Sequence, residues 1–191
     1  MKYRLFYSIL AGLLFLFFVG GCSSSPYKTF ALRRGVGYFS FEYSSHYDIL
    51  KVEIRPELGY TGIVLLRRSV EGQEQDFSMI TIAVKTPHES EPNVPVAVKN
   101  YLTQVSSWPN FRLLSPPSTI VITTDNISAQ QFTFSNSRAT RPDNIISEVR
   151  WAVLFERGGL IWEMTHQSDA ATADTDKADF EYILKTFKIL K

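Results

Sequence analysis

Residues 147–167, SEVRWAVLFERGGLIWEMTHQ, constrain the fold more than any other stretch of the chain. Two alternating apolar runs flank Gly158-Gly159, and paired glycines accept the positive φ values that a two-residue primed hairpin turn demands. Such a turn sets Arg157 against Leu160, Phe155 against Trp162, Val153 against Met164 and Trp151 against His166. Trp151, Val153, Phe155, Trp162 and Met164 then share one face. A one-residue slip would mix the two faces, so the register is well specified.

Other segments extend the pattern. Phe39, Phe41 and Tyr43 alternate with Ser40 and Glu42, the period of a half-buried strand. Residues 48–54 read as extended, and 61–68 and 76–84 read as two strands of a hairpin across the polar SVEGQEQ. Residues 111–114 read as a short strand bracketed by Trp108-Pro109 and Pro116-Pro117; STIVITT and SAQQFTFS continue the β pattern. The polar residues 136–144 read as an exposed loop. Val94, Val98, Tyr101, Leu102 and Val105 form one helical stripe over 94–105, with Asn93 as cap and Pro95 in the first turn. Phe180, Ile183, Leu184 and Phe187 form another over 175–187; Asp174, Asp176 and Asp179 near its start and Lys185 and Lys188 near its end suit the helix dipole. Many hairpins and few helices argue for an α+β fold: a mostly antiparallel sheet with a middle helix and a C-terminal helix.

At the amino terminus, Lys2 and Arg4 precede an uncharged apolar run over 5–19, which ends in Val19-Gly20-Gly21-Cys22. This is the layout of a secretory signal, and the run falls short of the about 20 apolar residues of a spanning helix. An aliphatic residue, two small ones and a cysteine resemble the lipobox of bacterial lipoproteins. That resemblance implies cleavage between Gly21 and Cys22, a diacylglyceryl group on the Cys22 sulfur, and often a further acyl chain such as palmitate on the new amino terminus. Cys22 is the only cysteine, so a disulfide within the chain is excluded. More than one acyl chain suits stable anchoring, because a single chain holds only marginally. Residues 1–21 are thus expected to be the signal peptide, 22–34 a flexible tether, and 35–191 a single domain. Loss of Lys2 and Arg4 takes the formal charge from +1 to −1. A near-neutral chain without a basic block argues against nucleic acid as a partner.

No catalytic constellation stands out. His88-Glu89-Ser90-Glu91 lacks the second histidine of an H-E-x-x-H helix and lies between Pro87 and Pro92, so it reads as a solvated loop. His166 reads as an aromatic cap beside Trp151. A calcium loop beginning at Asp174 would need glycine where Asp179 stands and a bidentate acid where Lys185 stands. No G-x-S-x-G occurs, and Gly35-x-Gly37 leads into a strand rather than a helix. Arg33-Arg34 and Arg67-Arg68 offer paired charges to lipid headgroups. No enzyme activity, cofactor or metal is expected.

Two stretches carry a family resemblance. GYFSFEYSSHY, residues 37–47, is similar to the opening strand of the PsbP family. Residues 158–190 are similar to its closing strand, acidic spacer and terminal helix, whose F-x-x-I-L-x-x-F pattern is here Phe180, Ile183, Leu184 and Phe187. The family often has proline and then tryptophan after the first strand, where this chain has Ser44-Ser45-His46-Tyr47; that weakens assignment to the photosynthetic branch. The resemblance implies an α/β/α-like sandwich on a curved antiparallel sheet, used for binding or assembly.

The resulting expectation is a non-catalytic module, lipid-anchored on the extracytoplasmic side of a bacterial membrane, that binds or assembles a membrane-associated protein complex. Ser44, Ser45, His46, Arg138 and Arg141 are its candidate partner-binding loop residues. The alternative is a carrier or sensor holding an apolar ligand between sheet and helix, which requires a cavity of about 300 Å3 or more. A third class, a surface hydrolase, requires a nucleophile and a base converging in a cleft.

Overall fold

Ten strands, two α-helices and one turn of 3-10 helix (Pro56–Leu58) lie in the described residues, which in this computed structural model are 25–35, 37–67, 77–122, 126–141 and 144–190. The expected signal peptide, Cys22 and the SVEGQEQ connection lie outside them. The strands are β1 (Tyr27–Leu32), β2 (Phe39–Ser44), β3 (Tyr47–Arg55), β4 (Tyr60–Arg67), β5 (Ser78–Lys85), β6 (Arg112–Ile122), β7 (Ile127–Arg141), β8 (Asn144–Arg157), β9 (Leu160–Asp169) and β10 (Lys188–Ile189). The helices are α1 (Val94–Val105) and α2 (Ala173–Thr186). Seven strands form an antiparallel sheet in the order β3-β4-β5-β9-β8-β7-β6, and β1-β2-β10 form a second, three-stranded one.

The β8–β9 hairpin has the register that its sequence dictates: Arg157 opposite Leu160, Phe155 opposite Trp162, Val153 opposite Met164 and Trp151 opposite His166. Gly158 and Gly159 take φ of 64° and 71°, the left-handed conformation of the expected turn. The two faces of the hairpin serve two cores. Trp151, Val153, Phe155, Trp162 and Met164 pack with Phe39, Phe41, Phe180 and Phe187 under α2 and the small sheet. Ala152, Leu154 and Ile161 pack with Phe132, Phe134 and the Val94, Ala97, Val98 and Val105 face of α1. A sheet buried on both faces gives the α/β/α-like sandwich. Asn93 caps α1 as its sequence predicts, its side chain accepting from the Val96 N–H at 3.1 Å.

Three expectations are corrected. Residues 27–32, placed in the tether, form β1 and pair with β2. Most β1 side chains are exposed, so no apolar alternation marks the strand; the backbone ladder and the Tyr27–Tyr182 and Phe30–Phe41 ring contacts, at 4.0 and 5.3 Å, hold it. Residues 136–141, placed in a loop, continue β7 against β8, with Asn136 opposite Glu148 and Arg138 opposite Ile146. Arg138 and the Asn136 amide instead reach the buried Glu148 carboxylate across the strand pair, so polarity does not mark a loop here. Finally, Pro116-Pro117 does not end a strand. Residues 112–122 form one edge strand with register shifts between Leu113 and Ser115 and between Ser115 and Ser118. An edge strand tolerates proline at a bulge because the lost donor is not needed by a second neighbour.

Candidate functional site

The register gathers polar side chains at one end of the large sheet. Ser78 on β5 lies between two of them: its Oγ is 2.5 Å from the Tyr47 hydroxyl of β3 and 2.8 Å from Nε2 of His166 on β9. His166 stacks between Trp151 at 5.0 Å and Phe180 at 5.5 Å, so it is the aromatic cap its position predicts. A serine and a histidine in hydrogen-bond contact are the start of a nucleophile–base pair. Here both are completely buried, and the His166 Nδ1 has no hydrogen-bond partner among the described residues that could orient the ring. Burial, helped by Arg67, lowers the imidazole to about 3, far from the pKa a base working near neutrality needs. The same burial raises the Tyr47 phenol. The trio is therefore a core polar chain.

That shift has a measurable consequence. An unfolded histidine titrates near pH 6.5, so between about 3 and 6.5 the unfolded chain binds a proton that folded His166 refuses. Stability from this group is complete above about pH 6.5 and falls as acid is added. His166→Phe, which keeps the stacking, is expected to flatten the slope of stability against pH in that window by up to about 1.4 kcal/mol per pH unit. Urea midpoints across the window check this, and an unchanged slope contradicts it.

Two buried carboxylates organise the same end. Asp176, in the first turn of α2, forms an ion pair with Arg67 and accepts from Ser168 Oγ at 2.5 Å and Thr172 Oγ1 at 3.0 Å. Arg67 is thus engaged with the protein's own helix rather than displayed to lipid. Glu148 on β8, wholly buried, takes Arg138, Arg150 at 3.2 Å and Gln167 at 2.7 Å. The Arg138 and Arg150 guanidinium groups also lie 4.5 Å from the Phe77 and Trp108 rings. Among the described residues no group of three or more His, Cys, Asp or Glu is placed to hold a metal ion.

The sequence-predicted contact residues divide. Ser44 is buried as the last residue of β2, and Arg138 and Arg141 lie within β7. Ser45 and His46 form an exposed turn between β2 and β3. The paired rows Tyr47–Arg67, Ser78–Ser168, Asp169–Glu148 and Glu148–Asn136 run across the sheet, so this turn and Arg138 occupy the same end of it. The described chain enters at that end too: Tyr27 pairs with Ser44, and Ser45 donates to the Pro26 carbonyl at 2.8 Å.

One open feature among the described residues was not legible in the sequence. Between α2 and strands β6–β8 runs a groove in two contiguous parts of about 460 and 480 Å3, sharing Gln131, Trp151 and Lys177. Ile120, Ile122, Phe180 and Leu184 wall the part away from the chain entry. Ser115, Ser118, Thr133 and Asp174 line the part nearer to it. Each exceeds the size that the carrier alternative requires. The apolar isoleucines of STIVITT were the signal available, and only the packing of α2 opposite them turns that signal into a groove.

Solved structures resemble this architecture. LpqN of Mycobacterium tuberculosis, described as involved in cell envelope biogenesis, superposes with a TM-score of 0.52 at 13% identity over 86% of this chain and 92% of that one. The cyanobacterial PsbP of Synechocystis gives 0.52 at 12% identity over 90% and 96%. The Ran-binding protein Mog1p of Saccharomyces cerevisiae gives 0.53 at 12% identity over 85% and 95%. The fold is PsbP-like. At such identities the likeness is one of fold alone. No family model and no curated protein matches the chain.

Proposed function

We propose that the protein is a lipid-anchored, extracytoplasmic, non-catalytic module that binds or assembles a membrane-associated protein complex. The observation that carries this reading is the convergence at one end of the sheet. Chain entry at Pro26-Tyr27, the Ser45–His46 turn and the outer part of β7 all lie there. Tyr27 follows Cys22 by five residues, a span of at most about 18 Å when fully extended. An acylated Cys22 would therefore hold this end close to the bilayer, where a membrane-bound partner meets it. The sealing of Ser78 and His166 in the core supports a binding role over hydrolysis. The envelope-associated and PsbP relatives of the fold support it by analogy.

Two measurements test the reading. The full-length chain made in a bacterial host is expected to incorporate an alkyne-tagged palmitate analogue, and Cys22→Ala is expected to incorporate none. Label on both, or on neither, contradicts anchoring at Cys22. A photo-crosslinker at His46 is expected to give a discrete membrane-protein adduct that the same group at Lys99, an exposed residue of α1, does not give. Equal adducts from both positions, or none, contradict the contact surface.

A further inference from the structure

The groove beside α2 changes chemistry along its length. Its far part is apolar, walled by Ile120, Ile122, Phe180 and Leu184. Its near part offers the hydroxyls of Ser115, Ser118 and Thr133 and the amide of Gln131. The Gln131 and Thr133 side chains are half-buried and form no side-chain hydrogen bond among the described residues, so their donors and acceptors are open to solvent or to a ligand. Rim charge is balanced: Lys177 pairs with Glu181 at 3.2 Å, and Lys185 and Asp174 stand at opposite ends. A groove with an apolar end, a hydroxyl-lined end and no surplus charge suits an uncharged amphiphile. Its two parts lie in the size range of small-molecule sites. Addition of a peptide strand at β6 is disfavoured, because the register shifts and Pro116-Pro117 break its outer hydrogen-bonding edge.

We propose that this groove binds one monoacyl lipid with an uncharged, hydroxyl-bearing head of the glycerol type. The acyl chain lies between α2 and the Ile120–Ile122 end of β6, and the head sits among Ser115, Ser118, Gln131 and Thr133. The head then faces the end of the sheet where the chain enters, and the tail points away from it. This site goes beyond the partner-binding reading and stands without it: a failure of acylation at Cys22 leaves the groove unchanged.

The test uses the full chain in phosphatidylcholine nanodiscs, with a monoacylglycerol that carries a diazirine at the end of its chain. Photolabelling is expected to map to residues 120–122 and 180–184. Ile120→Glu, in the half-buried wall of the groove, is expected to cut labelling about tenfold, while Lys99→Glu on α1 leaves it unchanged. A fatty acid with the same diazirine is expected to label at least fivefold less, since it brings a charge and lacks the glycerol hydroxyls. Labelling that maps elsewhere, or that folded Ile120→Glu does not reduce, overturns the site. Labelling by the fatty acid that equals or exceeds the glycerol probe overturns the head assignment. A thermal midpoint for Ile120→Glu well above the labelling temperature shows that the loss is local, and Ile120→Trp, which fills the same wall without a charge, is expected to cut labelling likewise.

Discussion

Asp176→Ala is expected to destabilise the fold by about 3–5 kcal/mol, the cost of breaking a buried ion pair from one side. The Asp176 side chain is 1% exposed and that of its partner Arg67 is 14% exposed. Ser168 and Thr172 also direct hydroxyls at the carboxylate, so alanine takes the acceptor from a buried serine as well as the counter-charge from a guanidinium. The interaction ties α2 to β4 and β9. The double change Arg67→Met with Asp176→Leu is expected to recover most of the loss, since it removes both charges together. Urea unfolding of the three variants checks this. A loss below about 1 kcal/mol for Asp176→Ala would be the behaviour of a surface pair and would contradict the buried geometry.

Phe187→Ala is expected to cost a similar amount, about 3–5 kcal/mol, through a different mechanism. Phe187 closes α2 and is completely buried. Its ring meets Trp162 edge-on at 5.4 Å, Phe155 edge-on at 6.0 Å and Phe39 at 5.6 Å. It therefore joins the β8–β9 hairpin, the small sheet and the end of α2 in one aromatic cluster. Alanine leaves a cavity that three rigid rings cannot fill, whereas Phe187→Leu keeps most of the volume and is expected to lose less than half as much. Equal losses for leucine and alanine would show that cavity volume is not what matters at this position.

The parts of this fold that the sequence discloses are those specified by neighbours in the chain. Gly158-Gly159 dictates a turn, the alternation on either side dictates which faces meet, and the observed register follows residue for residue. The bounds of α1 follow equally closely, because Asn93, Pro95 and the apolar stripe are all local signals. What escapes is set by long-range pairing. β1 has little side-chain burial to advertise it. Asn136 and Arg138 read as an exposed loop until three strands bring them together with Gln167 around the Glu148 carboxylate. Asp176 reads as a helix-start residue, and its partner Arg67 lies 109 positions away. The groove escapes for the same reason: β6 supplies one wall and α2 the other, and neither is amphipathic in a way that announces a ligand.

The same distinction separates the candidate site residues. His166 is legible as a core aromatic because Trp151 faces it across a defined hairpin. Ser78 is not, since its hydrogen bonds to Tyr47 and His166 cross from one strand to others far away in sequence. A serine–histidine contact alone would invite a hydrolase reading; complete burial turns it into a structural element and leaves the open groove as the ligand site proposed above.

Native mass spectrometry of the full-length protein, released gently from its own membranes, tests that choice most directly. The expected spectrum shows one non-covalently bound lipid-sized mass per chain, retained in folded Ser78→Ala and lost in folded Ile120→Glu. A parent chain that flies without a bound mass, or a bound mass that disappears with Ser78→Ala and persists in Ile120→Glu, would contradict it.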